Sequence, residues 1–185
     1  IRRASSHTRF LSGIAFVVLL AGCGGDGGEV HALGETVTVG YNERTDAGAR
    51  GTDTKLEITV LAVEEGSQSD LTDAGFEVDA EDRNATPYYV DVRYENTGDG
   101  TVERNIDVSL EDSDGNLIGS TLVFDYGEQG FPPCESVDEG GFAPGDSYES
   151  CTLVLVPEDV EVSRVSFLGD EGPDAEPEFV YWEVE

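Results

Sequence analysis

The chain has very few cationic side chains. Its 185 residues include 10 Lys and Arg, with Lys55 the single lysine, against 40 Asp and Glu, so the formal net charge is −30. Nucleic acids and anionic membrane surfaces are both bound through clusters of Lys and Arg. The composition therefore argues against a nucleic-acid partner and against an electrostatic hold on lipid headgroups.

Histidine is scarce as well. Only His7 and His31 are present, and His31 is the single histidine after the first 22 residues. We therefore expect no Ser-His-Asp or Cys-His catalytic site. Two carboxylates alone can hydrolyse a glycoside, but among 40 acidic residues some pair always suggests this chemistry. We predict that the protein is not an enzyme, has no catalytic residues and uses no cofactor, and a carboxylate-based hydrolase is the weakest alternative.

No apolar run is long enough to span a bilayer permanently. The longest, Phe10–Leu20, has 11 residues and follows the basic residues Arg2, Arg3 and Arg9. A basic region followed by a short apolar run is typical of a secretory signal peptide. The residues after Arg3 are not those of a twin-arginine signal, so we favour general secretion. We predict a signal peptide over residues 1–22.

The signal peptide ends in Leu20-Ala21-Gly22-Cys23, which resembles the lipobox of bacterial lipoproteins. The resemblance implies that Cys23 is acylated and becomes the new first residue; an ordinary cleavage site is the alternative. One acyl chain binds a bilayer marginally, whereas two or more anchor stably. We expect a protein anchored through Cys23 to the extracytoplasmic face of the cell membrane. Its mature form has 7 basic and 40 acidic residues, a net charge of −33.

The segment after Cys23 is rich in glycine and acidic. This composition is typical of a flexible linker, and the eleven residues up to Gly34 reach at most about 35–40 Å. We predict a tether over residues 23–34 and a folded domain over residues 35–185.

From Glu35 onward, apolar residues recur with a period of two and turn residues interrupt them, which predicts β-strands. The strand at 151–156 is apolar on both faces and is predicted to be central. The acidic stretch 64–85 is either a functional loop or contains a weak strand around Phe76, and no helix is expected. The spacing favours an all-β, immunoglobulin-like antiparallel sandwich of about 7–9 strands, with a closed barrel as the alternative.

Several segments resemble a known group of proteins. They are Ala-Leu-Gly-Glu-Thr-Val at 32–37, Tyr-Val-Asp-Val-Arg-Tyr-Glu-Asn-Thr-Gly at 89–98, Leu-Glu-Asp-Ser-Asp-Gly-Asn at 110–116 and Phe-Ala-Pro-Gly-Asp-Ser at 142–147. The chain resembles the telokin-like domain of unknown function of Gram-positive lipoproteins. It is also similar to a secreted mycobacterial immunoprotective antigen with an immunoglobulin-like sandwich. The resemblance implies this fold over about 150 residues from Leu33. It implies no catalytic residues.

Two cysteines, Cys134 and Cys151, remain after Cys23 is assigned to the anchor. An even pair in an exported protein predicts a disulfide. Closing this loop stabilises the fold by about 3 kcal/mol in the chain-entropy description. A metal or redox pair is the alternative, but neither a CxxC spacing nor a histidine partner accompanies it.

The loop from Asp125 to Asp146 is the candidate binding loop, since it places Tyr126, Phe131 and Phe142 among glycine and proline. Aromatic rings on a constrained loop are suitable binding anchors. The alternative is that the rings fold back and cover one end of the sandwich.

Asp112–Asn116 hints at a calcium loop, but the sixth and twelfth positions hold Leu117 and Val123 instead of Gly and Glu. We therefore predict a hairpin turn there and no metal site. Three functions stay open: an envelope interaction domain with an unknown protein or envelope partner, a small-molecule or cation-binding lipoprotein, and the hydrolase. An apolar pocket with convergent polar groups would favour the second.

Overall fold

The computed structural model describes residues 28–44, 50–76, 78, 79, 82–121, 131, 133, 134, 140–170 and 177–184. The predicted signal peptide, Leu20, Ala21, Gly22, Cys23 and Tyr126 lie outside these residues. What is said of them above therefore stays a prediction.

The described residues form eleven strands and one short helix, and seven of the strands have four or more residues. In chain order the elements are β1 Val30–His31, β2 Thr36–Arg44, β3 Arg50–Glu65, α1 Gln68–Asp73, β4 Thr86–Asn96, β5 Val102–Glu103, β6 Ser109–Asp112, β7 Leu117–Ile118, β8 Gly141–Phe142, β9 Ser147–Val156, β10 Val162–Gly169 and β11 Glu178–Glu183.

Two main sheets face each other. One has the order β1-β11-β10-β6-β7, the other β2-β3-β4-β9, and β5 pairs with β8 in a small third sheet. All pairs are antiparallel except β1 with β11. The prediction of an all-β antiparallel sandwich is therefore confirmed.

The main core lies between the two sheets. Strands β3 and β4 turn alternate side chains inward, as the period of two requires, and Ile58 and Tyr94 are opposite each other in the register. They pack against Val165 and Trp182 of the five-stranded sheet, and all four side chains are fully buried. Trp182 is thus a core residue.

Strand β9 is the outermost strand of its sheet and not a central one, contrary to the prediction. Its outer edge bonds Thr121, whose amide donates to the Leu153 carbonyl (2.8 Å) and whose hydroxyl accepts from the Leu155 amide (3.1 Å). Its second apolar face is covered by a separate core of Leu71, Tyr89, Phe131 and Leu153. Burial of both faces does not require a neighbour on both edges, which is why the apolar pattern was misleading.

The acidic stretch 64–85 contains helix α1, which was not expected, and Phe76 lies outside any strand, so the alternative of a weak strand there was wrong. The Ser67 amide donates to the Asp70 carboxylate (2.7 Å), the contact of a capping box. The helix buries only Leu71, so six residues with one apolar position show no helical period. Phe76 follows the helix and donates its amide to the Leu71 carbonyl (2.9 Å).

The folded part begins before Glu35, inside the predicted tether. Val30 and His31 pair in parallel with Tyr181 and Trp182. The Trp182 indole donates to the Glu35 carbonyl (3.0 Å), which ties the start of the domain to β11. The segment between Cys23 and the domain is therefore shorter than the sequence indicates.

Candidate ligand-binding groove

The predicted disulfide is present. Cys134 and Cys151 are bonded, with their Cα atoms 5.1 Å apart. The bond ties Cys134 to β9, and three residues earlier Phe131 is buried beside the rings of Phe76 (5.1 Å between centroids) and Tyr89 (5.7 Å). Phe131 and Cys134 are thus held at β9 by packed aromatic rings and by a covalent bond.

The two described aromatics of the candidate binding loop are not exposed. Phe131 lies in the second core, and Phe142 is fully buried with its ring edge-on to Tyr148, at 4.9 Å between centroids. Neither ring is available as a surface anchor, so the expectation that they bind a partner is wrong. Only Tyr126 of this set keeps its predicted role, and it lies outside the described residues.

A groove of about 340 Å³ lies where strands β6 and β10 separate. Their pairing ends at Ser109 and Ser166, and residues 104–108 leave the sheet before β6 begins. The groove is lined mainly by apolar side chains, namely Tyr41, Ile106, Leu117, Phe167, Leu168 and Phe179. Its volume is at the lower end of the range of about 300–1,000 Å³ found for ligand pockets.

The apolar lining comes from both faces of the five-stranded sheet. Phe167 points into the core, whereas the next residue, Leu168, points outward and is 48% exposed. Leu168 is opposite Phe179 in the register, and Leu117 on β7 is 50% exposed. Val30, Leu117 and Leu168 are three of the four large exposed apolar side chains among the described residues, so this sheet has the more apolar outer surface.

Asp107 provides the carboxylate of the groove. Asp107 is exposed to solvent, but partial desolvation raises the pKa of its carboxyl above the ordinary value, while a hydrogen bond from the Ser120 hydroxyl (3.2 Å) acts in the opposite direction. No cation of the described residues pairs with Asp107. An unpaired carboxylate beside an apolar lining favours a cationic or hydrogen-donating partner.

Two buried tyrosines lie behind Asp107. The rings of Tyr94 and Tyr148 stack at 5.1 Å, and each hydroxyl is buried without a hydrogen-bond partner of standard geometry among the described residues. Burial is the main reason why both pKa values are raised, and the nearby Asp107 and Tyr41 raise them further. Both hydroxyls therefore retain hydrogen-bonding capacity, which is unusual for buried polar groups.

An ion pair on the same sheet has a structural role. Arg164 pairs with Glu111 and lies over the ring of Tyr181 at 4.4 Å. Glu111 and Tyr181 are both buried, and Arg164 pairs with the carboxylate of the first and packs over the ring of the second. This cluster stabilises the outer face of the sheet.

Two larger hollows are polar and open. One of about 650 Å³ is lined by Asp53, Lys55 and Asp99, and one of about 590 Å³ by Glu65, Glu158 and Glu161. No group of three or more His, Cys, Asp or Glu in the described part of the chain is arranged to hold a metal ion. In the described ranges, no helix has the length and apolarity needed to cross a bilayer.

The Asp112–Asn116 segment is a hairpin turn. The Asp112 carboxylate accepts from the Asp114 amide (2.9 Å) and from the Asn116 amide and side chain (both 2.8 Å). These hydrogen bonds, those from Asn116 first, lower the pKa of Asp112. Its oxygens are therefore used by the turn itself.

His31 is far from the groove lining. Its ring packs against Trp182, at 6.2 Å between centroids, and Nδ1 lies 3.7 Å from the Glu35 carboxylate. No part of this arrangement provides a nucleophile. The expectation that the protein is not an enzyme stays a prediction.

Sequence reasoning did not identify the groove. Its residues come from β2, the 104–108 segment, β6, β7, β10 and β11, and they form no local sequence motif. One signal was present: Phe179 and Tyr181 alternate with Val180 and Trp182, so β11 is apolar on both faces.

The fold is similar to the crystal structure of MPT63, a secreted protein from Mycobacterium tuberculosis, with a TM-score of 0.50. The two chains are 10% identical, and the similarity covers 84% of this chain and 97% of that chain. At this identity the likeness shows the fold alone, and it confirms the predicted immunoglobulin-like class of sandwich. No protein-family model matches the chain, and no curated protein matches it.

Proposed function

We propose that this chain is a lipid-anchored, extracytoplasmic binding domain of the cell envelope, and that it binds a small ligand with an apolar body in the groove between β6 and β10. The observation that carries this proposal is the groove itself, a mainly apolar cleft whose lining includes Asp107, a carboxylate with no cationic partner among the described residues. Ligand sites typically combine an apolar lining with a few convergent polar groups.

The groove favours a small ligand over a protein partner bound through the Cys134 loop. That loop buries Phe131 and Phe142, whereas the groove exposes about half of Leu117 and Leu168. Exposed apolar side chains that border a cleft are a common mark of a binding surface. We therefore place binding at the groove and not at the loop.

The anchor is part of the proposal. It rests on the lipobox resemblance of Leu20-Ala21-Gly22-Cys23 after a short apolar run. The fold neighbour is also described as a secreted protein, which supports a location outside the cytoplasm. Mass spectrometry of the protein purified from its native membrane tests this part. We expect Cys23 to carry an added diacylglyceryl mass, and an unmodified Cys23 at the mature N-terminus would contradict the anchor.

Calorimetric titration with octan-1-ol tests the groove. This probe is neutral, so its affinity measures only the binding of an apolar chain. The titration uses the mature chain with Cys23→Ser, which cannot be acylated and stays in solution. We expect saturable binding that Leu168→Ser weakens at least tenfold. Leu61→Ser is the matched control, because Leu61 is 41% exposed on β3 and does not line the groove. Equal binding by both variants, or none by the parent protein, would refute the groove as a site.

A further inference from the structure

Gly28 is the first described residue after Cys23, and it lies at the same end of the five-stranded sheet as the groove. Strand β1 runs parallel to β11, and Gly28 lies against the backbone of Phe179. Phe179 is opposite Leu168, and both line the groove. Gly28, the first described residue after Cys23, therefore lies at the groove end of the sandwich.

The covalent path from Cys23 to this point is short. Gly28 is five positions after Cys23 in the sequence, so the two residues can be at most about 18 Å apart when the chain is fully extended. The groove lies two to three strands away from β1, which is about 10–14 Å across the sheet. An acyl group on Cys23 therefore holds the groove close to the bilayer surface.

The groove chemistry indicates the charge of the ligand. Asp107 lines the groove and has no cationic partner among the described residues, and the aromatic rings of Tyr41, Phe167 and Phe179 line the same cleft. A cation is stabilised both by a carboxylate and by aromatic rings, and most strongly where water is partly excluded. The net charge of −30 further attracts cations and repels anions at long range.

We propose that the ligand of the groove is a cationic amphiphile taken from the membrane, with its apolar chain between Leu117 and Leu168 and its cationic head paired with Asp107. This inference rests on the proposed function, since it needs both the groove as the binding site and the anchor at Cys23. It adds the charge of the ligand and its source.

Octylammonium, octan-1-ol and octanoate test the charge, because they share one chain and differ in the head. We expect the Cys23→Ser protein to bind octylammonium at least tenfold more tightly than octan-1-ol and to bind octanoate most weakly. Asp107→Asn should remove the preference for octylammonium. Asp114→Asn is the matched control, since Asp114 is an exposed carboxylate in the turn after β6.

The outcomes of this titration separate the two proposals. If octan-1-ol and octylammonium bind equally, or if Asp107→Asn and Asp114→Asn behave alike, the charge assignment is wrong while the groove stands. If no probe binds, the proposed function fails with it. If the native protein carries an unmodified Cys23, the anchor is refuted, and so is the proposal that the ligand comes from the membrane.

Photolabelling tests the source. A hexadecylammonium with a diazirine in its chain is placed in phosphatidylcholine vesicles with the native acylated protein. We expect labelled peptides from β10 and β11 in the native protein, at least tenfold less labelling of Cys23→Ser, and loss of labelling in acylated Asp107→Asn. Equal labelling of Cys23→Ser, or labels elsewhere on the domain, would overturn the proposal that the ligand comes from the membrane.

Discussion

Gly28 lies directly against the backbone carbonyl of Phe179, so that a Cβ atom at position 28 would occupy the space of the carbonyl oxygen. The Tyr181 amide donates to the Glu29 carbonyl (3.1 Å), one residue farther along. These two contacts seat the start of β1 on β11. They decide where the chain from Cys23 reaches the sandwich.

Gly28→Ala should destabilise the fold by about 1–3 kcal/mol, because neither backbone can yield without disturbing β11. Urea unfolding of the Cys23→Ser protein measures this change. Gly119→Ala is the control, since a Cβ at position 119 meets nothing within 4 Å. A similar free energy of unfolding for both variants would show that β1 does not pack as described.

Asn96→Ala should lower the free energy of unfolding by about 2–4 kcal/mol, because the fully buried side-chain amide makes hydrogen bonds to several other groups at once. Its nitrogen donates to the carbonyls of Gly100 (2.6 Å) and Phe142 (3.1 Å), and its oxygen accepts from the Thr54 hydroxyl (3.2 Å). Chemical denaturation checks the value. The exposed Asn116→Ala should lose about 1 kcal/mol or less, and equal losses would contradict the role of Asn96.

Replacing both Cys134 and Cys151 with alanine should lower stability by about 3 kcal/mol, since the loop closed by the disulfide is no longer constrained in the unfolded chain. The same loss is expected when the parent protein is unfolded under reducing conditions. Thermal unfolding with and without reductant provides the comparison. An unchanged midpoint in the double variant would show that the second core holds the loop without the bond.

Tyr89 should titrate far above an ordinary tyrosine. Burial, then the charge of Asp70 and its hydrogen bond with the Tyr89 hydroxyl (3.3 Å), raise the pKa of Tyr89 to about 12. The folded state thus favours the protonated phenol. This contribution is complete below the ordinary value of about 10 and is lost as pH rises through about 12.

Stability measured between pH 9 and pH 12.5 should therefore fall more steeply in the parent protein than in Tyr89→Phe. Tyrosinate absorbance gives the titration directly. A Tyr89 midpoint near the ordinary value would contradict the burial of this ring.

Asp107→Asn should raise the melting temperature at neutral pH while it weakens ligand binding. Burial raises the pKa of Asp107, so the fold favours the protonated carboxyl. That contribution is present below the ordinary pKa and is lost as pH rises through the raised value, which leaves an ionised, partly desolvated carboxylate in the groove at neutral pH. A stability gain that accompanies a binding loss is typical of a residue kept for function.

Asp114→Asn removes the same charge from an exposed turn and provides the comparison for this experiment. It should leave both binding and the melting temperature nearly unchanged. A lower melting temperature for Asp107→Asn would show that the carboxylate serves the fold.

The strands that bury one face could be predicted from the sequence. The elements whose formation depends on contacts with residues far away in the sequence could not. Tyr88 to Glu95 alternates clearly because β4 lies at the centre of its sheet with one face on the core. Helix α1 has only Leu71 as an apolar anchor, and β1 has two residues, so neither produces a measurable period. The groove combines Tyr41, Asp107 and Leu168, whose proximity depends on how β6 and β10 separate.

Nuclear Overhauser contacts between octylammonium and the Cys23→Ser protein test the groove most directly. The account predicts contacts from the methyl end of the probe to the side chains of Leu117, Leu168 and Phe179, and from the methylene next to the ammonium to residues flanking Asp107. Contacts confined to other surfaces, or none at a saturating concentration of the probe, would contradict it.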